Sequence, residues 1–261
     1  MTSNGTGANP GGRFVWFDLL TTDPAAAISF YTKLVGWEIQ VWPGEVPYSM
    51  WATNGAPIGG VGQLTAEDVT AGAHPSWRAY ITTPDADATT AAATQLGGRV
   101  VVPPQSIPTV GRFATLADPQ GAVFAAFTQE TPSAEREGPI PQGEFSWHEL
   151  ATSDAVAAFE FYRTLFGWQK TSEMDMGAQG KYQMFGRGTE VLGGIYNAAP
   201  NHPQPPAWLH YIRVADVDRS ALQIPRLGAK VTNGPMDVPG GSRILQGLDP
   251  QGGAFAIHSG G

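Results

Sequence analysis

A chain of 261 residues can form one large domain or two of ordinary size, and an apolar fraction of 42% supports a sizeable core. A net charge of −8 and the lack of any basic run argue against nucleic acid or an anionic membrane surface as partner. Cysteine is absent, which excludes disulfides, thiolate zinc sites and a cysteine nucleophile together. No run approaches the roughly 18 apolar residues of a membrane span. The polar, glycine-rich tail 1–12 has no apolar core of a signal peptide. The expectation is a cytoplasmic protein, monomer or homodimer, that acts on a small molecule.

In chain order, Phe14–Leu20 alternates with period two and predicts a strand. Asp23 is a helix N-cap with Pro24 at the first position, and Gly36 stops the helix. Ile28, Tyr31 and Leu34 give that helix one apolar face. Short strands are predicted near Glu38–Trp42, Tyr48–Thr53 and Ile58–Gln63. The order then restarts with a strand at Trp77–Thr82 and a helix at Ala86–Leu96 stopped by Gly97. Strands at Arg99–Val102, Gly111–Ala117 and Val123–Phe127 complete it.

The second half repeats the first. Phe14–Glu38 (FVWFDLLTTDPAAAISFYTKLVGWE) aligns with Phe145–Gln169 (FSWHELATSDAVAAFEFYRTLFGWQ). The same offset pairs Trp77 with Trp208, Leu96-Gly97 with Leu227-Gly228 and Arg112 with Arg243. It also pairs Asp118-Pro119-Gln120-Gly121 with Asp249-Pro250-Gln251-Gly252. A match this long, in register at both ends, is a duplication. Thr128–Gly143 (TQETPSAEREGPIPQG) has linker composition, which sets domains at 13–128 and 144–259 with a linker at 129–143. Each copy reads βαβββ twice. Pro225 should kink or shorten the last helix of copy two.

This βαβββ order, with TTDPAAAISFYTKLVGW, ATSDAVAAFEFYRTLFGW and the two DPQG turns, resembles the vicinal oxygen chelate superfamily of glyoxalases, bleomycin-resistance proteins and extradiol dioxygenases. The resemblance implies an α+β fold of two tandem glyoxalase-like domains, each of two βαβββ modules whose curled mixed sheets form a cup. In that family the cup holds a metal and an oxygenated substrate. Carried over position by position, the family's metal stations fall on Trp16 and Trp147 in the first strands and on Arg78 and Leu209 in the fifth. In the eighth they fall on Ala125 and Ala256, and the fourth strands hold no His, Asp or Glu. Indole, guanidinium and methyl groups donate no lone pair to zinc, iron or nickel. The expectation is therefore no metal and no cofactor.

Strand parity sorts the histidines. Val15, Phe17 and Leu19 make an apolar face for the helices, leaving Phe14, Trp16 and Asp18 to face the cup. His148 replaces Phe17, and His210 lies on the same kind of face, so both read as buried core histidines rather than ligands. His74 and His202 each precede a proline and read as surface loop residues; His258 alone has cup parity. The remaining cup positions carry Asp18 and Glu149, Tyr80 and Tyr211, Arg78 and Arg213, and Phe127 and His258.

In relatives of this size the cups are often shared between halves. That pairing would assemble Trp16, Asp18, Tyr211, Arg213 and His258 in one site and Trp147, Glu149, Arg78, Tyr80 and Phe127 in the other; cups within each copy would regroup the same residues. Either way the pocket is aromatic-walled with a carboxylate and an arginine, suited to a flat conjugated ligand bearing an enolate or carboxylate oxygen. Asp18, Glu149 and His258 are the candidate acid–base groups, set against a purely structural ion pair for the carboxylates. Arg112 and Arg243 either gate the mouth or are simply solvated. Three functions follow: metal-independent proton transfer of lyase or isomerase type on a small oxygenated or aromatic metabolite, non-catalytic sequestration of a toxic or antibiotic-like compound, and the metal-dependent glyoxalase or dioxygenase chemistry that the stations disfavour.

Overall fold

The computed structural model describes residues 11–42, 48–132, 138–177, 180–199 and 205–260. Copy one runs β1 (Phe14–Thr21), α1 (Pro24–Val35), β2 (Glu38–Trp42), β3 (Tyr48–Thr53) and β4 (Ala56–Gln63). It continues with α2 (Ala66–Thr70), β5 (Ser76–Thr82), α3 (Ala86–Gln95), β6 (Arg99–Ile107), β7 (Gly111–Ala117) and β8 (Val123–Gln129). Copy two runs β9 (Phe145–Thr152), α4 (Ala155–Phe166), β10 (Gln169–Asp175), β11 (Lys181–Arg187), β12 (Glu190–Asn197) and β13 (Ala207–Arg213). It ends with α5 (Val217–Gln223), β14 (Lys230–Asp237), β15 (Ser242–Leu248) and β16 (Ala254–Gly260). Asp23 and Asp154 cap α1 and α4 by accepting from the third residue on, and Gly36 and Gly167 end them in the left-handed conformation.

Three features depart from the sequence reading. The short helix α2 carries a Thr65/Asp68 capping box that the periodicity search passes over. Strand β6 runs on through Pro103-Pro104 to Ile107, which its place at the end of the sheet permits, since an edge strand tolerates a missing N–H. At Pro225 the α-helical ladder of α5 gives way to a 3-10 turn over Ile224–Leu227, as a proline without an N–H requires.

Each copy supplies one whole mixed eight-stranded sheet, in the orders β2-β3-β4-β1-β5-β8-β7-β6 and β10-β11-β12-β9-β13-β16-β15-β14. The fold is α+β with two tandem domains of βαβββ modules, as the resemblance implies. The first strands of the two modules are neighbours at the middle of each sheet. β1 runs parallel to β4, and β13 parallel to β16, whereas the outer strands are antiparallel. No helix among the described residues is long and apolar enough to cross a membrane.

By compactness the chain divides otherwise than by copy. One unit comprises Trp16–Arg78, Gly138–Leu150 and Trp208–Gly261; the other comprises Met1–Val15, Ala79–Glu137 and Ala151–Ala207. The first has an aromatic core in which Tyr31 of α1, fully buried, stacks on Trp37 and meets Trp51 and Trp77 edge-on. The Tyr31 hydroxyl donates to Asp249 Oδ2 and accepts from Trp77 Nε1, both at 3.1 Å. Asp249 Oδ1 accepts from the backbone of Gln251 and Gly253, so the DPQG motif is a turn folded onto its own carboxylate. In the other unit Tyr162 donates to Asp118 Oδ2 at 3.0 Å, and Asp118 Oδ1 gathers the amides of Gln120, Gly121 and Ala122. Burial pushes both carboxyls above their usual range and the Tyr31 phenol well above its own.

Candidate functional site

Phe17 and Leu19 of β1 are buried on one face of the first sheet, and Trp16 and Asp18, which alternate with them, take the other, the cup face that parity predicts. In copy one β1 places Trp16 and Asp18 on that face. Asp18 Oδ1 accepts from Tyr48 of β3 at 2.5 Å and from Trp16 Nε1 at 2.9 Å. Tyr48 reaches Asp18 because Gly60, paired with Asp18 in the β1/β4 register, leaves room: a Cβ there would stand 1.7 Å from the tyrosine oxygen. One oxygen of a buried carboxylate thus holds two short donors, an arrangement that fixes Asp18 as an anchor. Tyr80 is buried against Phe113 and Phe127, making the late strands of copy one an aromatic patch. Arg78, beside it on β5, is half-buried.

Copy two is wetter. Glu149 of β9 is half-buried and accepts from Tyr211 of β13 at 3.3 Å and from Gln246 of β15 at 3.4 Å. The Gln246 amide also donates to the Tyr211 hydroxyl at 2.7 Å. These two residues flank Ala256 of β16 in register, one from each neighbouring strand, and their side chains meet across its methyl group, which is fully buried. Two residues along, His258 stands in register beside Arg213, and its Nε2 is hydrogen-bonded to the Ser146 hydroxyl. Burial, and then the charge of Arg213, pull the His258 imidazole down to about 4, so it is neutral at pH 7. Arg213 itself donates to the Ile140 carbonyl at 2.5 Å, tying the cup rim to the end of the linker. Trp147 is half-buried next to Ser146.

By hydrogen-bonded sheet the residues group by copy. Asp18 and Trp16 lie on the first sheet with Tyr48, whereas Tyr211, Arg213 and His258 lie on the second with Glu149. By compactness, however, Trp16, Asp18, Tyr211, Arg213 and His258 all fall in the unit of Trp16–Arg78, Gly138–Leu150 and Trp208–Gly261, together with Trp147 and Glu149. Parity holds at Trp16, Phe17, Asp18 and Leu19 but fails at the start of the strand: Phe14 stacks on Trp168, and Phe145 packs on Trp37 and Trp77. Correspondingly Ser146, and not Phe145, reaches His258.

His148 and His210 are buried, with Nδ1 atoms 3.1 Å apart. Their ring neighbours include Phe17, Phe145 and Trp208 of the strands. Burial holds His148 well below the usual histidine range and His210 down to about 3. His74 is an exposed loop residue, and His202 lies outside the described residues. Arg112 and Arg243 are solvated, as one of the two sequence readings has it, and each is held in surface ion pairs. Arg112 chelates Asp87 at the start of α3, and Arg243 chelates Asp218 at the start of α5 while also reaching Asp237.

The family's metal does not fit these stations. Trp16, Trp147, Arg78, Leu209, Ala125 and Ala256 offer no ligand atom, and at Ala256 the Tyr211–Gln246 bond spans the place of a carboxylate. No group of three or more His, Asp or Glu side chains among the described residues is arranged to hold a metal ion. Sequence reasoning missed Tyr48, Ser146 and Gln246. Tyr48 matches Tyr182 in the repeat, each lying over a glycine, Gly60 or Gly194, and that shared Tyr/Gly pair was a legible signal.

With this geometry in hand, comparison with known proteins locates the chain. The model of the Glyoxalase/Bleomycin resistance protein/Dioxygenase superfamily matches residues 13–125 and again 144–257. The anthracycline biosynthesis protein DnrV of Streptomyces peucetius is 30% identical over 255 residues, covering 93% of this chain and 91% of that protein. DauV of Streptomyces sp. (strain C5), also named for anthracycline biosynthesis, is 31% identical with the same coverage. Among solved structures, the Mn(II)-bound glyoxalase from Novosphingobium aromaticivorans shares the fold at a TM-score of 0.63 and 15% identity, over 96% of this chain and 82% of that one. The 2,3-dioxygenase LapB from Pseudomonas sp. KL28 does so at 0.66 and 11%, over 96% and 93%. Twice along its length, then, the chain belongs to the Glyoxalase/Bleomycin resistance protein/Dioxygenase superfamily.

Proposed function

We propose that this protein catalyses metal-independent proton transfer on a fused-ring oxygenated aromatic metabolite, and that the cup of copy two carries the chemistry. The observation that supports it is the Glu149–Tyr211–Gln246 network beside Ala256. Glu149 is half-buried and its bonds from Tyr211 and Gln246 are 3.3 and 3.4 Å, whereas Asp18 is buried and its bonds from Tyr48 and Trp16 are 2.5 and 2.9 Å. Tyr211 and Gln246 are O–H and N–H donors at the station where the family's metal ligand would be, so they are suited to an enolate oxygen as it develops. Glu149 takes the proton from the carbon next to the carbonyl, the electron pair moves onto oxygen, and the donors hold it there until the proton returns at another position. The substrate class follows from the aromatic walls and from the relatives named for anthracycline biosynthesis, since anthracyclines are fused oxygenated ring systems.

The test is exchange of the acidic ring proton of anthrone for deuterium, followed by NMR in heavy water. The protein should accelerate exchange, chelator treatment should leave the rate unchanged, and Glu149→Gln should slow it on the order of a hundredfold. Loss of exchange on chelation with recovery on adding metal would sink the metal-independent mechanism. Tight binding of fused aromatics with no exchange would favour sequestration of the ligand instead.

A further inference from the structure

The outer tier of the copy-two cup has a composition that proton abstraction by Glu149 does not use. Ser146, His258 and Arg213 converge there, about two strand residues, or roughly 7 Å, from the Tyr211–Ala256–Gln246 row. The equivalent positions in copy one are Val15, Phe127 and Thr82, so copy one has neither the imidazole nor the cation nor the facing hydroxyl. A hydroxyl, a ring nitrogen and a guanidinium thus lie together in copy two and not at the equivalent positions of copy one.

From this arrangement we infer that the copy-two cup binds its ligand through an acidified ring hydroxyl, which displaces Ser146 from His258, passes its proton to Nε2 and stays bound as a phenolate between His258 and Arg213. The inference rests on the same cup as the proposed function, but not on Glu149 as its base. The serine hydroxyl is the stand-in: it occupies the hydrogen-bonding position on Nε2 that a ligand hydroxyl would take. The step is balanced, because the ligand O–H bond breaks, an N–H bond forms on the imidazole, and no proton is exchanged with solvent.

Charge logic gives the direction. Without ligand, burial first and then the charge of Arg213 keep the imidazole neutral at pH 7. A phenolate placed between the two opposes both effects, since its attraction to an imidazolium offsets the cost of burying that charge and outweighs the repulsion from Arg213. Protonation of His258 and ionisation of the ligand therefore promote each other. The chemical class selected is a phenol made acidic by a conjugated ring carbonyl, because an ordinary phenol holds its proton too tightly to give it to imidazole.

The experiment uses the full chain and 1,8-dihydroxyanthraquinone, whose absorbance moves to the red when it ionises, at pH 6, where the free dye is largely un-ionised. Binding is followed separately by quenching of tryptophan fluorescence. The bound dye should show the red-shifted phenolate band in the wild type. Ser146→Ala should keep the band and bind several-fold more tightly, having lost the competing hydroxyl. His258→Gln should bind dye without the band, and His258→Asn is the second variant should that chain fail to fold. Glu149→Gln should keep the band, which separates this inference from the proton-transfer chemistry above. A bound dye with no band in the wild type, a band that survives in both His258 variants, or a band lost only in Glu149→Gln would each overturn it. Failure of the dye to bind would overturn the ligand class.

Discussion

Acidification should destabilise this protein through His148 and His210, and the size of the effect can be worked from their burial. Both rings are inside the core, and burial keeps them neutral, His210 down to about 3 and His148 well below its ordinary value. In the unfolded chain each takes a proton near pH 6.5. A base whose folded value is depressed contributes stability that is intact above 6.5 and is lost as pH falls toward about 3. From pH 7 to pH 5 the loss is roughly 2 kcal/mol per ring, so about 4 kcal/mol for the pair. Copy one has Phe17 where copy two has His148, which makes His148→Phe the natural perturbation. Urea unfolding by tryptophan fluorescence at pH 7, 6 and 5 should show the variant losing about 2 kcal/mol less than the wild type over that range. The raised carboxyls of Asp118 and Asp249 act with the opposite sign, but they are common to both proteins and cancel in the difference. Parallel pH dependences for wild type and variant would refute the reasoning.

Tyr31→Phe deletes a donor to the buried Asp249 carboxylate and the acceptor of Trp77 Nε1, so about 3 kcal/mol of stability should be lost in urea at pH 7. Gly60→Ala should cost roughly 1–3 kcal/mol, because the new methyl group drives Tyr48 off Asp18; an unchanged urea midpoint would show that the tyrosine has room to move. Asp18→Asn keeps the shape but weakens two short charge-assisted bonds, so a loss of about 1–2 kcal/mol is expected in the same assay. Elemental analysis of protein purified without a histidine tag should give well under one zinc, nickel, iron or manganese per domain, and a value near one would restore the metal-dependent chemistry.

How much of this was legible in the residues varied with the kind of signal. Helix caps and strand starts were readable, since Asp23-Pro24, Gly36 and the DPQG turns act through their own backbone geometry. The duplication carried topology as well, because a repeated βαβββ order admits few sheets. Strand parity was sound in the middle of β1, where Phe17 and Leu19 are pinned by the core, and failed at Phe14 and Phe145, where a large ring is drawn toward buried indoles. Grouping the cup residues was beyond the sequence: whether Asp18 or Glu149 shares a sheet with Tyr211 depends on which strands pair, and no local pattern specifies that. Gln246 was invisible for a related reason, for its role exists only through Ala256, the small residue between it and Tyr211.

The division into compact units has a consequence for how the chain must fold. Each unit combines a stretch of copy one with a stretch of copy two, and Trp16–Arg78 belongs with Trp208–Gly261. During synthesis the first strands and α1 therefore emerge well before the segment that completes their core, with Tyr31 waiting some two hundred residues for Asp249. Contacts so distant in sequence close large loops before any packing is gained, which slows folding and leaves apolar surface uncovered meanwhile. Cutting the chain at the linker would yield two halves that each hold an intact sheet sequence and an incomplete core. Two such halves should recover the fold only when mixed, so the two sequence repeats are complements in folding.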